Sequence, residues 1–241
     1  MERNEFIALL KEGFRENSIG ELLDERKEEL LYDLYAELVE ANKITNLTAI
    51  TEPKAVILKH FVDCATVCDH IASGARVIDV GCGAGFPSLP LAILRDDVSV
   101  LSLDSTGKKI DFIKRTAGRL GLENVTAVCA RAEEFVVDNR ETFDVCTSRA
   151  VARLNVLSEI CIPLVKSGGL FLAMKSNKGD EEHVEASGGI KTLGCSFAGK
   201  TDYELSLEGE IISREIYVFR KTAKTPSQYP RKYSQILKKP L

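Results

Sequence analysis

No apolar run in this 241-residue chain approaches the ~20 residues that a membrane-spanning helix needs. The first stretch, MERNEFIALLKEGF, carries acids and lacks an apolar h-region, so it does not read as a secretory signal. The seven cysteines include no CxxC and are odd in number, which argues against a disulfide framework and for free thiols in a reducing compartment. Only three histidines are present, and no Ser-His-Asp relay is attractive. These absences point to a cytoplasmic protein. What is there is ordinary: 44% hydrophobic and 28% charged residues, in a chain long enough to bury a core without staples.

Net charge is −4, but it is unevenly spread. From Arg214 to Leu241 eight Lys/Arg face one Glu, so the remainder carries −11. Residues 223–241 therefore read as a basic tail, either an arm for an acidic partner or a solvated terminus. Tyr229, Arg231, Lys232 and Tyr233 interleave cations with aromatics, a mix suited to phosphate contact and base stacking. Lys108, Lys109, Lys114, Arg115 and Arg119 form a second basic cluster, whose plain meaning is a solvated helix face. His60, Cys64 and Cys68 share one helical face, but their ends lie about 12 Å apart along a helix, too far for one tetrahedral ion. No metal is expected.

Three regions emerge. Residues 1–72 read as an N-terminal helical extension: Glu21 to Asn42 steps by three and four, and Pro53 to Ile71 follows the loop NKITNLT. Residues 73–222 alternate short β-branched runs (RVIDV, VSVLSLD, NVTAVCA, FDVCTS, GGLFLAMKS) with helical patterns, the texture of βαβ units on a parallel sheet. Two more β-like runs, SFAGKTDYELSL and REIYVFRK, close this region.

The first strand runs into GCGAGFPSLP. Such a turn at the strand end lets backbone bend tightly and approach a ligand closely. Gly81, Gly83 and Gly85 give GxGxG; Phe86 stands where a dinucleotide fingerprint has its third glycine, and no GK[ST] follows to make a P-loop. Pro87 is well placed to begin a helix. Asp104, at the end of the second strand, can accept two ribose hydroxyls. ARAEEF, after the third strand, reads equally as a helix start favouring acids and as a ligand segment.

DVGCGAGFP followed by LSLDS resembles motifs I and II of class I S-adenosylmethionine-dependent methyltransferases. That likeness implies an α/β, Rossmann-like fold with a seven-stranded, mostly parallel sheet closed by a hairpin, here behind the helical extension. It implies S-adenosylmethionine as cofactor, with Gly81, Gly83, Gly85, Phe86 and Asp104 at it and Ala132 and Glu133 near its adenine. The fourth strand ends in Ser148-Arg149-Ala150, without the (D/N)PP(Y/F) of amine methylation or the Pro-Cys of cytosine carbon methylation. Guanine N7 has a free lone pair and no proton to lose, so its methylation asks for alignment rather than a general base.

At this point the chain is similar to the RsmG (GidB) family of bacterial 16S ribosomal RNA guanine-N7 methyltransferases. The segments NKITNLTAI, KHFVDC, RVIDVGCGAGFPSLPLAI, LDSTGKKIDFI, RAEEF, FDVCTSRAVARLNVL, GGLFLAMK and YPRKYSQILKKPL carry the likeness from about Asn42 onward. It implies that Arg149 and Arg131 position the substrate, with Arg149 also at the cofactor, and that Lys175, Arg231 and Lys232 meet RNA. His60 and Asp63 match the family and are expected to brace the extension. The implied partner is 16S rRNA or the small subunit, met by a monomer. Ser88 replaces the usual glycine, and KSNKGD replaces the usual Lys-Gly after strand five. Competing readings are a nicotinamide oxidoreductase, disfavoured by GxGxG; a non-catalytic RNA-binding or assembly factor with a vestigial pocket; and a small-molecule methyltransferase, disfavoured by the basic tail.

Overall fold

Apolar residues of successive strands alternate between two cores. Val77, Val100, Val145, Leu172 and Val218 face one, while Ile78, Leu103, Cys146, Phe171 and Phe219 face the other. This period of two, apolar on both faces, is what a sheet covered by helices on both sides requires. A computed structural model of the protein describes residues 1–176 and 179–241. Its strands are β1 (Arg76–Val80), β2 (Ser99–Asp104), β3 (Val125–Cys129), β4 (Phe143–Arg149), β5 (Val165–Lys175), β6 (Cys195–Leu207) and β7 (Glu210–Lys221). Among the described residues they make one seven-stranded sheet, ordered β3-β2-β1-β4-β5-β7-β6. β1 to β5 pair in parallel, and the β6–β7 hairpin joins antiparallel through β7. The order reverses between β1 and β4, and a crevice opens there at the strand ends.

The extension has more structure than its periodicity predicts. α1 (Arg3–Glu16) buries Phe6, Leu10 and Phe14 at steps of four; the sequence reading had passed over it. α2 starts at Glu25, where the Asp24 side chain accepts the Lys27 N–H at 2.8 Å, and runs to Thr45, past the expected end. The expected helix over Pro53–Ile71 is a composite: α3 (Pro53–Val56), a π-helical stretch Ile57–Val62, α4 (Asp63–Ala65) and a 3₁₀ turn Cys68–His70. These elements share a core with α5 (Ser88–Leu94), α6 (Gly107–Leu120) and β6.

On the other face lie α7 (Ala132–Asn139), α8 (Leu154–Cys161) and α9 (Gly179–Thr192). The basic tail docks here and does not project as an arm. α10 (Tyr233–Lys238) buries Ile236, and Tyr229, Tyr233 and Leu241 pack on the same core. Arg140 donates to the Tyr229 carbonyl and, at 3.3 Å, to the Thr225 carbonyl. Phe6 joins α1 to the rest: it is fully buried, stacks on Tyr35 with centroids 4.4 Å apart, and meets Phe61 edge-on. Phe6→Ala is expected to lower unfolding free energy by about 3–5 kcal/mol, read from urea denaturation.

Candidate functional site

The chain leaves β1 through a turn that closes on β2. The N–H groups of Gly81 and Cys82 donate to the Leu103 carbonyl at 2.7 and 3.1 Å. Gly81 has φ +74°, and a Cβ there would lie 2.3 Å from Cγ2 of Val151, so this position needs glycine for conformation and for space. Asp104 is 9% exposed; its Oδ2 accepts the Gly83 N–H at 3.1 Å and its Oδ1 the Thr106 N–H at 2.8 Å. Lys109 stands 3.7 Å away. A carboxylate offers about four lone-pair directions, so Asp104 is rigidly held with acceptor capacity left over. Ser88 donates its N–H and hydroxyl to fully buried Asp79. Burial pushes the Asp79 carboxyl up to about 6, and its Oδ1 has no partner among the described residues.

A cavity of about 370 Å³ opens beside this turn, within the usual range for a small-molecule site. Asp104 stands in its wall with Arg131, Ala132, Glu133, Ile160 and Tyr233. Held carboxylate, apolar walls and aromatic ring fit a nucleoside with free ribose hydroxyls.

A second cavity, of about 670 Å³, is lined by Lys59, His60, Asp63, Arg149, Lys175 and Arg214 among others. Asp63 organises it. Its side chain is 3% exposed, with Arg149 Nη1 at 2.9 Å on Oδ2 and Arg214 Nε at 3.3 Å on Oδ1. Arg149 also donates to the Lys59 carbonyl at 2.7 Å, and its Nη2 lies 3.2 Å from His60 Nδ1. His60 Nδ1 also lies 3.0 Å from the Lys59 carbonyl, and Nε2 lies 3.3 Å from Thr48 Oγ1, so both ring nitrogens have polar partners. The ring stacks on Phe86 with centroids 4.3 Å apart. Burial, with Arg149 adding to it, lowers the His60 pKa to about 3. A smaller cavity of about 200 Å³ joins His60, Phe86 and Gly83. Ala150 borders all three cavities and has φ +56°, uncommon for a residue with a Cβ.

The expected residues are only partly brought together. Asp104, Gly81, Ala132, Glu133 and Arg131 line the first cavity. Gly83, Phe86 and Arg149 line the smallest, whereas an added Cβ at Gly85 would meet Leu89 at 2.6 Å, so this glycine serves helix packing. Lys175 is not a free cation: Glu182 lies 2.8 Å away and the Ala152 carbonyl accepts from it. Arg231, expected at RNA, spends its guanidinium on Glu159, which is fully buried. Lys232 remains exposed beside a groove that runs along the tail to Arg131. Asn177 and Lys178 of the altered loop lie outside the described residues. Sequence reasoning did not assign Lys109, Ile160 or Tyr233 to the first cavity, nor Arg214 to the second. Among the described residues, no cluster of His, Cys, Asp and Glu could hold a metal, and no helix is long and apolar enough to cross a membrane.

A family model described as "rRNA small subunit methyltransferase G" (GidB) matches residues 27–197. The chain belongs to this family. Curated relatives named "Ribosomal RNA small subunit methyltransferase G" match most of its length. The Staphylococcus carnosus protein is 43% identical over 240 residues, 98% of each chain. The Desulfitobacterium hafniense protein is 46% identical over 213 residues, 87% of this chain and 88% of its own. Among solved structures, M. jannaschii TYW2 in complex with AdoMet has a TM-score of 0.53 at 12% identity, covering 66% of this chain and 75% of its own. The [4+2]-cyclase SpnF has a TM-score of 0.55 at 15% identity, covering 80% and 94%. These structures share the fold with the GidB family, and a cyclase among them shows that the fold alone does not choose the chemistry.

His60 is held neutral in the native state to about pH 3, while in the unfolded chain it takes a proton near its ordinary 6.5. The unfolded state therefore binds more protons between these values, and His60 makes stability fall as pH drops through that window. Asp79, pushed up to about 6, acts in the opposite sense. His60→Gln is expected to lose less stability than wild type between pH 7 and pH 5, measured as urea midpoints.

Proposed function

We propose that this protein transfers a methyl group from S-adenosylmethionine to N7 of a guanosine in 16S rRNA of the small ribosomal subunit. Membership of the GidB family supports the substrate class. The observation that carries the reading is the meeting, at Ala150, of a nucleoside-sized cavity and a cation-lined cavity that offers no free base. S-adenosylmethionine supplies a methyl group made electrophilic by its sulfonium.

The chain's own residues do the positioning. Asp104 accepts the ribose hydroxyls, and the Ala132–Glu133 segment meets the adenine. Arg149 borders both the smallest cavity and the cation-lined one. Its place is fixed by Asp63, so it presents its remaining donor capacity without moving. The remaining donors of Arg149 and Arg214 suit guanine O6 or phosphate oxygens. The acids and the imidazole of this cavity are committed: Asp63 pairs with two arginines, Glu182 with Lys175, and His60 lies against Arg149, the Lys59 carbonyl and Thr48 with its basicity lowered by burial. N7 needs none, since it reacts through a lone pair. Rate then comes from alignment in a site screened from water. The target guanine enters unstacked from its neighbours. The described cysteines are all free thiols, which fits work in the reducing cytoplasm.

Labelled S-adenosylmethionine incubated with small subunits or naked rRNA, followed by nucleoside analysis, is expected to yield 7-methylguanosine. Its absence refutes the reading. Arg149→Ala is expected to slow transfer on the order of a hundredfold, the scale of lost alignment. Asp104→Ala should weaken S-adenosylhomocysteine binding in calorimetry; an unchanged dissociation constant would count against the ribose role.

A further inference from the structure

The docked tail reaches the cofactor cavity. Tyr233, half-buried on α10, lines the cavity that holds Asp104, Ala132 and Ile160. The Arg131 guanidinium lies over its ring, 5.9 Å from the centroid. Two residues earlier, Arg231 closes on Glu159: its backbone N–H and Nε each donate at 2.8 Å to Oε1, and Nη2 donates to Oε2 at 2.5 Å. Glu159 has no exposed side-chain surface, and its neighbour Ile160 is itself a wall of the cavity. Three residues after Tyr233, Ile236 is fully buried. The ring is thus pinned on both sides, by an ion pair and by an apolar anchor, beside the helix that gives Ile160 to the cavity wall.

We propose that Tyr233 is a cofactor-contacting residue, the aromatic wall of the cavity, and that tail docking and cofactor occupancy stabilise each other. This rests on the cofactor reading above. The chemistry is that of a purine against an aromatic face: such stacking is sequence-tolerant and of the order of 1–3 kcal/mol per base. An undocked tail removes the ring, so a ligand that touches it binds the docked state more tightly. By linkage the ligand then holds the tail down. Tyr233 accordingly serves the methyl donor, and the exposed Lys232, Lys238 and Lys239 are left as the tail's contribution to an anionic partner.

The test uses the full chain and S-adenosylhomocysteine as probe. Calorimetric titration of Tyr233→Ala is expected to give a dissociation constant roughly tenfold above wild type. Tyr233→Phe, which keeps the ring, should bind about as wild type does. Limited trypsin digestion, cutting after Lys232 and Lys238, should be slowed by saturating probe in wild type and much less in Tyr233→Ala. Unchanged affinity in Tyr233→Ala overturns the assignment, and tail cleavage indifferent to the probe overturns the coupling. A Tyr233→Ala protein that binds the probe normally but fails with RNA also overturns it, and gives the ring to the RNA. Failure of wild type to bind the probe, by contrast, removes the cofactor reading itself.

Discussion

Asp63 is a carboxylate almost wholly withdrawn from water, with an arginine on each oxygen. A buried charge of this kind is tolerable only when paired and fully hydrogen-bonded, and removing either partner strands the other. The two arginines come from β4 and β7, on opposite sides of β5, while Asp63 comes from the extension. Three distant parts of the chain therefore share one electrostatic knot. Arg149 is fixed in turn against His60, and His60 against Phe86 and Thr48, so the knot runs on to the glycine turn and to the loop after α2. Asn42 finishes it, accepting the N–H groups of Leu47 and Thr48 at 2.6 and 2.9 Å.

This arrangement explains why the site is made of held groups. Asp104 is fastened by two backbone donors, Arg149 by a carboxylate and a carbonyl, and Arg231 by Glu159. Few groups are left free to take or give a proton, and this suits a reaction whose demand is geometry. The helical extension is part of the same device, because its core is continuous with the face of the sheet that carries α5 and α6.

Much of this was legible in the residues. Runs such as RVIDV and LSLD announce buried parallel strands because both faces of the sheet are covered, and Gly81 and Asp104 announce a ligand because few other roles demand that pairing of glycine turn and acid. What escaped was long-range. Arg231 and Lys175 look like free cations in the sequence; their neutralising partners, Glu159 and Glu182, stand 72 and seven residues away and pair with them only once α8 and α9 are placed. Charge counting sees the cation and not the acid opposite it. The tail failed for the same reason: it docks through scattered contacts, Ile236, Tyr229, Tyr233 and Leu241 on the core and Arg231 and Arg140 through polar bonds, which no periodicity registers. α1 shows the reverse case, since Phe6, Leu10 and Phe14 carry a clear helical period that charge at the chain's start obscured.

Ala150 stands between the cavities in a left-handed conformation. Val151 borders the two larger cavities beside it, so the partition between them is made of a methyl and an isopropyl group. Such a partition works as an aperture. A bulkier side chain at position 150 would narrow the passage between the cavities. Glycine, which adopts this φ without penalty, would leave the passage wider and its rim free to wander. The opening thus owes its width to two neighbouring small apolar side chains rather than to any movable part.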